Sequence, residues 1–295
     1  MTIERQHYVT QGFLRGFSAS DARTTNFIWV YRKTRGVPPK RVSVKSVAWA
    51  SFYYEQETEA GDRDTDTLET GFASSVDSAA PGIIRSLDAK PGSVVPLSET
   101  HRETLAFFLG ISLTRVPSFR APIRELHTRI AQRALDSVAK GDPKLRHLVG
   151  KYGVKAEAKP WVSLRPMVEL AEVISRSALQ KYWQFFIPPA GVFLFTSDNP
   201  VIFDVARSYG LDSVGPAHPL AELVVNLRKD LALVCTPRHG GAQHAVFQMT
   251  EEEAREFNRG IVRAARASVF GPTRSEEIQQ LVDANIGHEQ TITLD

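Results

Sequence analysis

Gly191-Val192-Phe193-Leu194-Phe195-Thr196-Ser197-Asp198-Asn199-Pro200 sets an apolar run directly against a polar turn. Val, Phe, Leu and Phe in succession read as a strand covered on both faces. Pro200 cannot continue a ladder, so a hydroxyl, a carboxylate and a carboxamide stand at the carboxyl end of a buried strand. Many α/β folds place their chemistry there, because a rigid element holds it. The structural alternative is an Asx turn, with Asp198 or Asn199 capping the backbone before Pro200.

Around this stretch the last third of the chain is rich in strands, at 182–187, 192–196, 222–227, 231–235 and 244–249. Residues 226–230 make a tight, hairpin-like connection. Thr250-Glu251-Glu252-Glu253 is a capping box that opens a helix to Ala267, and 276–285 is a last short helix. Upstream the chain is helical: 67–81 with a continuation through Leu87, 98–115 stopped by Pro117, 122–140 ended by Gly141-Asp142-Pro143, and 164–181. An opening helix precedes strands at 27–32 and 41–47, the aromatic group Phe52-Tyr53-Tyr54, and an acidic, exposed loop over 55–66. The expected fold is α+β, a mixed and mainly antiparallel sheet with a helical middle lobe. Residues 151–160 are the best linker candidate. A single composite domain over 1–295 is expected, its helical lobe at about 65–181 and its strand-rich part, 182–295, completed by the N-terminal segment.

At 295 residues and 42% hydrophobic the chain can bury a substantial core. No apolar run approaches a membrane span, so no membrane partner is expected. The first residues lack the apolar centre of a signal peptide. Cys235, the only cysteine, sits in a strand-like run, which excludes a disulfide framework or a thiolate metal cluster. These features fit a bacterial-style cytoplasmic protein. A net charge of +3 does not demand nucleic acid. Basic residues do gather at 32–45 and at 115–133, where they either follow a phosphate backbone or form a solvated face.

A second polar cluster lies near the amino terminus, Gln6-His7-Tyr8-Val9-Thr10-Gln11-Gly12-Phe13-Leu14-Arg15-Gly16-Phe17. At helical period Tyr8, Val9, Phe13 and Phe17 form an apolar stripe, with His7, Gln11 and Arg15 on a neighbouring line. That line either borders a cleft able to hold an anion or is a solvated flank.

The two clusters resemble a bacterial family, the domain-of-unknown-function 4238 family. Its opening has the form His-Tyr-Val-Pro-Gln…Leu-Arg-x-Phe, and its later mark is Thr-Ser-Asp-Asn-Pro-Val. Thr196 to Val201 matches that mark residue for residue, while Thr10 stands where the family usually has proline. The stretch ending in Phe52-Tyr53, the helix ending in Arg115-Val116-Pro117 and residues 258–269 are similar to the family as well. Ser112 lies near where the family's helix carries a glutamine. The resemblance implies a shared fold and a shared site, and brings no activity with it.

Further candidates come from separated positions. Glu69, early in its helix, either faces a pocket or compensates the helix dipole. Arg115 ends an apolar helix, where a guanidinium fork suits phosphate or carboxylate. Tyr54 either stacks on a base or fills the core. Ser197-Asp198-Asn199 and Ser137-Val138-Ala139-Lys140 have β-lactamase forms, but no Lys-Thr-Gly accompanies them. A divalent metal held by His7, Glu69 and Asp198 has suitable ligand types, with no supporting spacing.

Two function classes follow. In the first the protein is a hydrolase of phosphate-containing substrates, nuclease-like, acting on nucleic acid or nucleotides. His7 or Asp198 is the base, with Glu69 a further carboxylate. Arg15 and Arg115 stabilise charge, Gln11 and Asn199 orient substrate, and Ser197 and Tyr54 contact it. In the second the same residues hold a small anionic ligand without turnover, as a binding or sensor module. Both require the two clusters to converge.

Overall fold

The computed structural model describes residues 4–19, 26–58, 60–205, 214–237 and 242–290, and of residues 73–75 and 205 the backbone alone. The chain opens with β1 (Arg5–His7), a single turn α1 (Gln11–Leu14) and a 3-10 turn (Arg15–Phe17). Next come β2 (Phe27–Arg32), β3 (Lys40–Ser43), β4 (Trp49–Ser51) and a small hairpin of β5 (Gln56–Glu57) and β6 (Arg63–Asp64). The helical middle holds α2 (Thr67–Ser75), α3 (Ala79–Ser86), α4 (Glu99–Thr114), α5 (Pro117–Gly141), α6 (Pro143–Tyr152) and α7 (Leu164–Leu179). The final third has β7 (Tyr182–Ile187), β8 (Thr196–Ser197), β9 (Val201–Val205), β10 (Ala221–Arg228), β11 (Leu231–Thr236) and β12 (Ala245–Gln248). It closes with α8 (Glu251–Ala264), β13 (Ser268–Gly271) and α9 (Glu276–Ala284).

The fold is mixed α+β. One sheet runs β12-β7-β11-β10-β9, antiparallel except where β12 lies parallel to β7. A second, wholly antiparallel sheet runs β3-β2-β13-β8, so N-terminal strands share it with C-terminal ones. Among the described residues no helix is long and apolar enough to cross a membrane.

α4 is the central helix. Ser98 caps it by accepting from the His101 amide, and Leu105, Phe108, Leu109 and Ile111 are buried along it. It lies on α7 so closely that a Cβ at Gly110 would run into the Ala171 carbonyl oxygen. Arg102 crosses from α4 to donate to the carbonyls of Leu179 and Lys181, satisfying the end of α7. The main core runs from Val9 on the N-terminal segment to Phe270 on β13.

Several local readings yield to distant partners. The opening is not one continuous helix: residues 5–7 pair antiparallel with β4, and only at Thr10, whose hydroxyl accepts from the Gly12 amide, does the single turn α1 begin. The line His7–Gln11–Arg15 is therefore broken across three kinds of backbone. Residues 192–195 are not a strand either. Asn258 accepts from the Phe195 amide and donates to the Phe193 carbonyl, while Asn226 donates to the Phe195 carbonyl. Asparagine side chains thus replace a neighbouring strand, and only Thr196 and Ser197 pair with β13. The helix expected over 67–81 divides at 76–78 ahead of Pro81, which sits in the first turn of α3 where its missing N–H costs little. Part of the acidic loop is the β5–β6 hairpin, tied by the Arg63–Glu55 ion pair at 2.5 Å.

Candidate functional site

The Thr-Ser-Asp-Asn-Pro turn is buried, and backbone groups engage the side chains of Ser197, Asp198 and Asn199, while the Thr196 hydroxyl is buried without a partner. Asp198 Oδ1 accepts from the Arg266 amide at 2.9 Å, and Oδ2 from the Ala267 and Ser268 amides at 2.8 and 3.0 Å. Ser197 Oγ donates to the Asn199 carbonyl and accepts from its amide. Asn199 Nδ2 donates to the carbonyls of Ala264 and Gln290. Lys33 completes the knot, its Nζ donating to Val262, Ala265 and His288 carbonyls. Burial pushes the Asp198 carboxyl up to about 6, against the three amides and Lys33, which pull it down. The arrangement holds the loop between α8 and β13, and both Asp198 oxygens are engaged by that loop's amides. Among the described residues no group of three His, Cys, Asp or Glu side chains could hold a metal ion.

A different cluster gathers where β1, α2 and the end of α4 meet. Arg115, 1% exposed, donates through Nε to the Tyr8 carbonyl and through Nη1 to Asp77 Oδ1, both at 2.9 Å. Its Nη2 is buried without a partner. Glu69 Oε2 is also buried and unpartnered. Burial, and then the negative charge of Asp77, push the Glu69 carboxyl up to about 7, with Arg115 opposing. His7 feels the same Asp77 and Arg115 charges. Burial lowers its pKa, which the Lys45 backbone partly offsets, so the imidazole is held neutral. Gln11 Nε2 stands 3.5 Å from His7 Nε2. Gly12 lets this segment lie on α3, since a Cβ there would be 3.0 Å from Pro81.

Tyr54 closes the cluster from behind. It is fully buried, its hydroxyl donates to the His7 carbonyl at 2.9 Å, and its amide donates to Gln6 Oε1. Tyr53 packs edge-on against Tyr54 and tilted against Tyr8, with ring centroids 5.2 and 5.5 Å apart. On its other side Tyr53 borders a cavity of about 820 Å³, shared with Phe52, with the cations Arg120, Arg124, Arg129 and Lys155, and with the carboxylates Glu125 and Glu157. The Arg120 guanidinium lies 4.1 Å from the centre of the Tyr53 ring and is 6% exposed. It donates to Ser163 Oγ and to the carbonyls of Tyr53 and Pro160, all neutral acceptors.

His7, Gln11, Glu69, Arg115 and Tyr54 therefore come together, joined by Asp77. Arg15 does not belong to this group: it is exposed and donates to Asn26. Ser197, Asp198 and Asn199 form the separate knot, and among the described residues no hydrogen bond or ion pair links them to the cluster. Tyr8 stands between, its carbonyl on Arg115 and its hydroxyl within the influence of the Asp198 charge. Sequence reasoning missed Asp77, which lies in a helix break. Arg120 falls in the basic stretch 115–133, and its burial has a further signal, its place between Phe119 and Ile123 on the apolar first turns of a helix opened by Pro117.

Comparison with curated proteins and with solved structures gives no match. The family model described as "Protein of unknown function (DUF4238)" matches residues 5–275, nearly the whole chain, and the protein belongs to that family.

Proposed function

We propose that the protein binds a small anionic, phosphate-bearing ligand, such as a nucleotide or a nucleic-acid end, in the cavity bounded by Tyr53 and Arg120. The observation that carries this reading is a buried guanidinium whose hydrogen bonds all go to neutral oxygens. Among the described residues no carboxylate pairs with Arg120. A buried charge without a counter-charge is unfavourable by several kcal/mol, and an anion in the cavity offsets that cost. Arg129 and Lys155 open onto the same space, and Tyr53 and Phe52 give it aromatic walls that suit a base. Calorimetric titration with nucleotides and short oligonucleotides is the test. Binding weakened roughly tenfold by Arg129→Glu with Lys155→Glu supports the reading; absence of binding to every phosphate compound refutes it.

A hydrolytic reading, with phosphoester cleavage as in a nuclease, draws on one specific observation in the neighbouring cluster. Glu69 carries a carboxyl tuned to about 7, the same Asp77 and Arg115 charges act on the neutral His7, and Arg115 keeps an unused N–H for developing negative charge. In this reading Glu69 or His7 moves the proton and Asp198 takes no part. Incubation with pooled RNA, DNA and nucleotides, with and without divalent metal, decides it. Turnover by the wild type that Glu69→Gln lowers in kcat supports it, and no turnover under any condition ends it.

A further inference from the structure

The helical hairpin of α5 and α6 carries chemistry that neither the cavity nor the charge cluster uses. α6 buries no residue, and past Ile123 α5 buries only Ala139. Of the eleven exposed large apolar residues in the described chain, six fall between positions 130 and 161: Ile130, Val138, Leu148, Tyr152, Val154 and Trp161. Ile130 and Val138 lie two turns apart on one line of α5, and Leu148 and Tyr152 one turn apart on α6. Over 117–161 the chain also holds ten basic against four acidic residues, an excess of six where the whole chain has an excess of three; with the cavity's Arg120, Arg124, Arg129, Lys155, Glu125 and Glu157 left out, six basic residues still stand against two acidic ones. The remainder of the molecule is thus net acidic. Within the hairpin Arg124 pairs with Glu157. Among the described residues Arg133, Lys140, Lys144 and Lys151 have no ion-pair partner, and the Lys151 ammonium rests on the exposed Tyr152 ring, 5.2 Å from its centre.

Exposed aliphatic groups set among unpaired cations define the occupant. A second copy of the chain docking hairpin to hairpin would bring like charge against like charge. A nucleic-acid backbone satisfies the cations but offers nothing to Ile130, Val138, Leu148 or Val154. An anionic lipid surface takes both, apolar side chains at the acyl boundary and ammonium and guanidinium groups over the phosphates. We propose that the α5–α6 hairpin docks peripherally on an anionic membrane surface. The contact does not span the bilayer, and it leaves the Arg120 cavity at the hairpin's root beside that surface.

Co-sedimentation of the full chain with vesicles of equal parts phosphatidylcholine and phosphatidylglycerol, compared with phosphatidylcholine alone, tests this. The protein is expected to pellet with the anionic vesicles only, and to be released by salt. Leu148→Asp with Tyr152→Asp, and separately Lys144→Glu with Lys151→Glu, should each cut the bound fraction about tenfold. All four positions are exposed, so the melting temperature should hold in both variants, which checks that they fold. Failure to bind anionic vesicles, equal binding to neutral ones, or binding indifferent to the aspartate pair overturns the proposal. So does tighter binding to double-stranded DNA that ignores the aspartate pair, or a concentration-dependent dimer that the pair abolishes.

Discussion

Because Asp198 accepts from the amides of Arg266, Ala267 and Ser268 through both oxygens, Asp198→Asn does more than remove a charge. It turns one acceptor into an NH2 group aimed at N–H donors. An Asx turn tolerates that exchange, whereas this knot should lose about 1–3 kcal/mol. The expected result is a lower melting temperature with ligand binding intact in the folded protein. An unchanged melting temperature with binding lost would return Asp198 to a functional role. Glu69 makes a prediction of opposite character. Its carboxyl titrates at about 7 in the folded protein against an ordinary 4.5, so the native state holds the extra proton between those values. Its stabilising contribution is fully present below about pH 4.5 and is lost as pH rises toward 7. Asp198 adds a slope of the same sign that ends near pH 6, which makes the interval from 6 to 7 diagnostic. There Glu69→Gln should flatten the fall of melting temperature with pH, and a slope equal to wild type would assign it to another group. Residue types alone singled out His7, Glu69 and Arg115. They could not reveal Asp77, because the contact that matters joins the turn between α2 and α3 to the end of α4, 38 residues away.

At the scale of elements, α4 and α7 meet backbone to backbone at Gly110. Gly110→Ala would press a Cβ into the Ala171 carbonyl, with no flexible side chain to yield. A loss of about 3 kcal/mol is expected, read as an earlier urea midpoint with an unchanged slope; a neutral result would mean the helices separate easily. Elements with strong local signals were legible. Phe27–Arg32 and Tyr182–Ile187 have the bounds that their apolar and aromatic content suggests, and the Ser98 cap and the Thr250 capping box fall where the residue types require. Misreadings arose where a distant partner outweighs a local pattern. The 3.6-residue spacing of His7, Gln11 and Arg15 is real, yet β4 offers residues 5–7 a ladder that the pattern does not display. The apolar run 192–195 lacks strand neighbours because Asn226 and Asn258 supply its hydrogen bonds from β10 and α8.

At the scale of the molecule, the α+β character was legible in the order of helical and strand-like stretches, while of the candidate cavity only pieces were, the aromatic pair Phe52-Tyr53 and the basic stretch 115–133. The cavity walls come from positions 51–53, 117–129 and 155–163, three segments that share no motif and meet only through tertiary packing. One feature of the sheets also governs how the chain is made. β2 sits between β3 and β13, and Lys33, at its end, holds carbonyls of α8 and of His288. A nascent chain leaves the ribosome from its amino end, so β2 and β3 emerge long before the partners that complete their sheet. Until then the strand edge that β13 will cover stays open, and the Lys33 ammonium has no carbonyls to receive it. The second sheet therefore closes only after β13 has been made, and until then the growing chain carries an unpaired edge, the interval in which it is most exposed to aggregation.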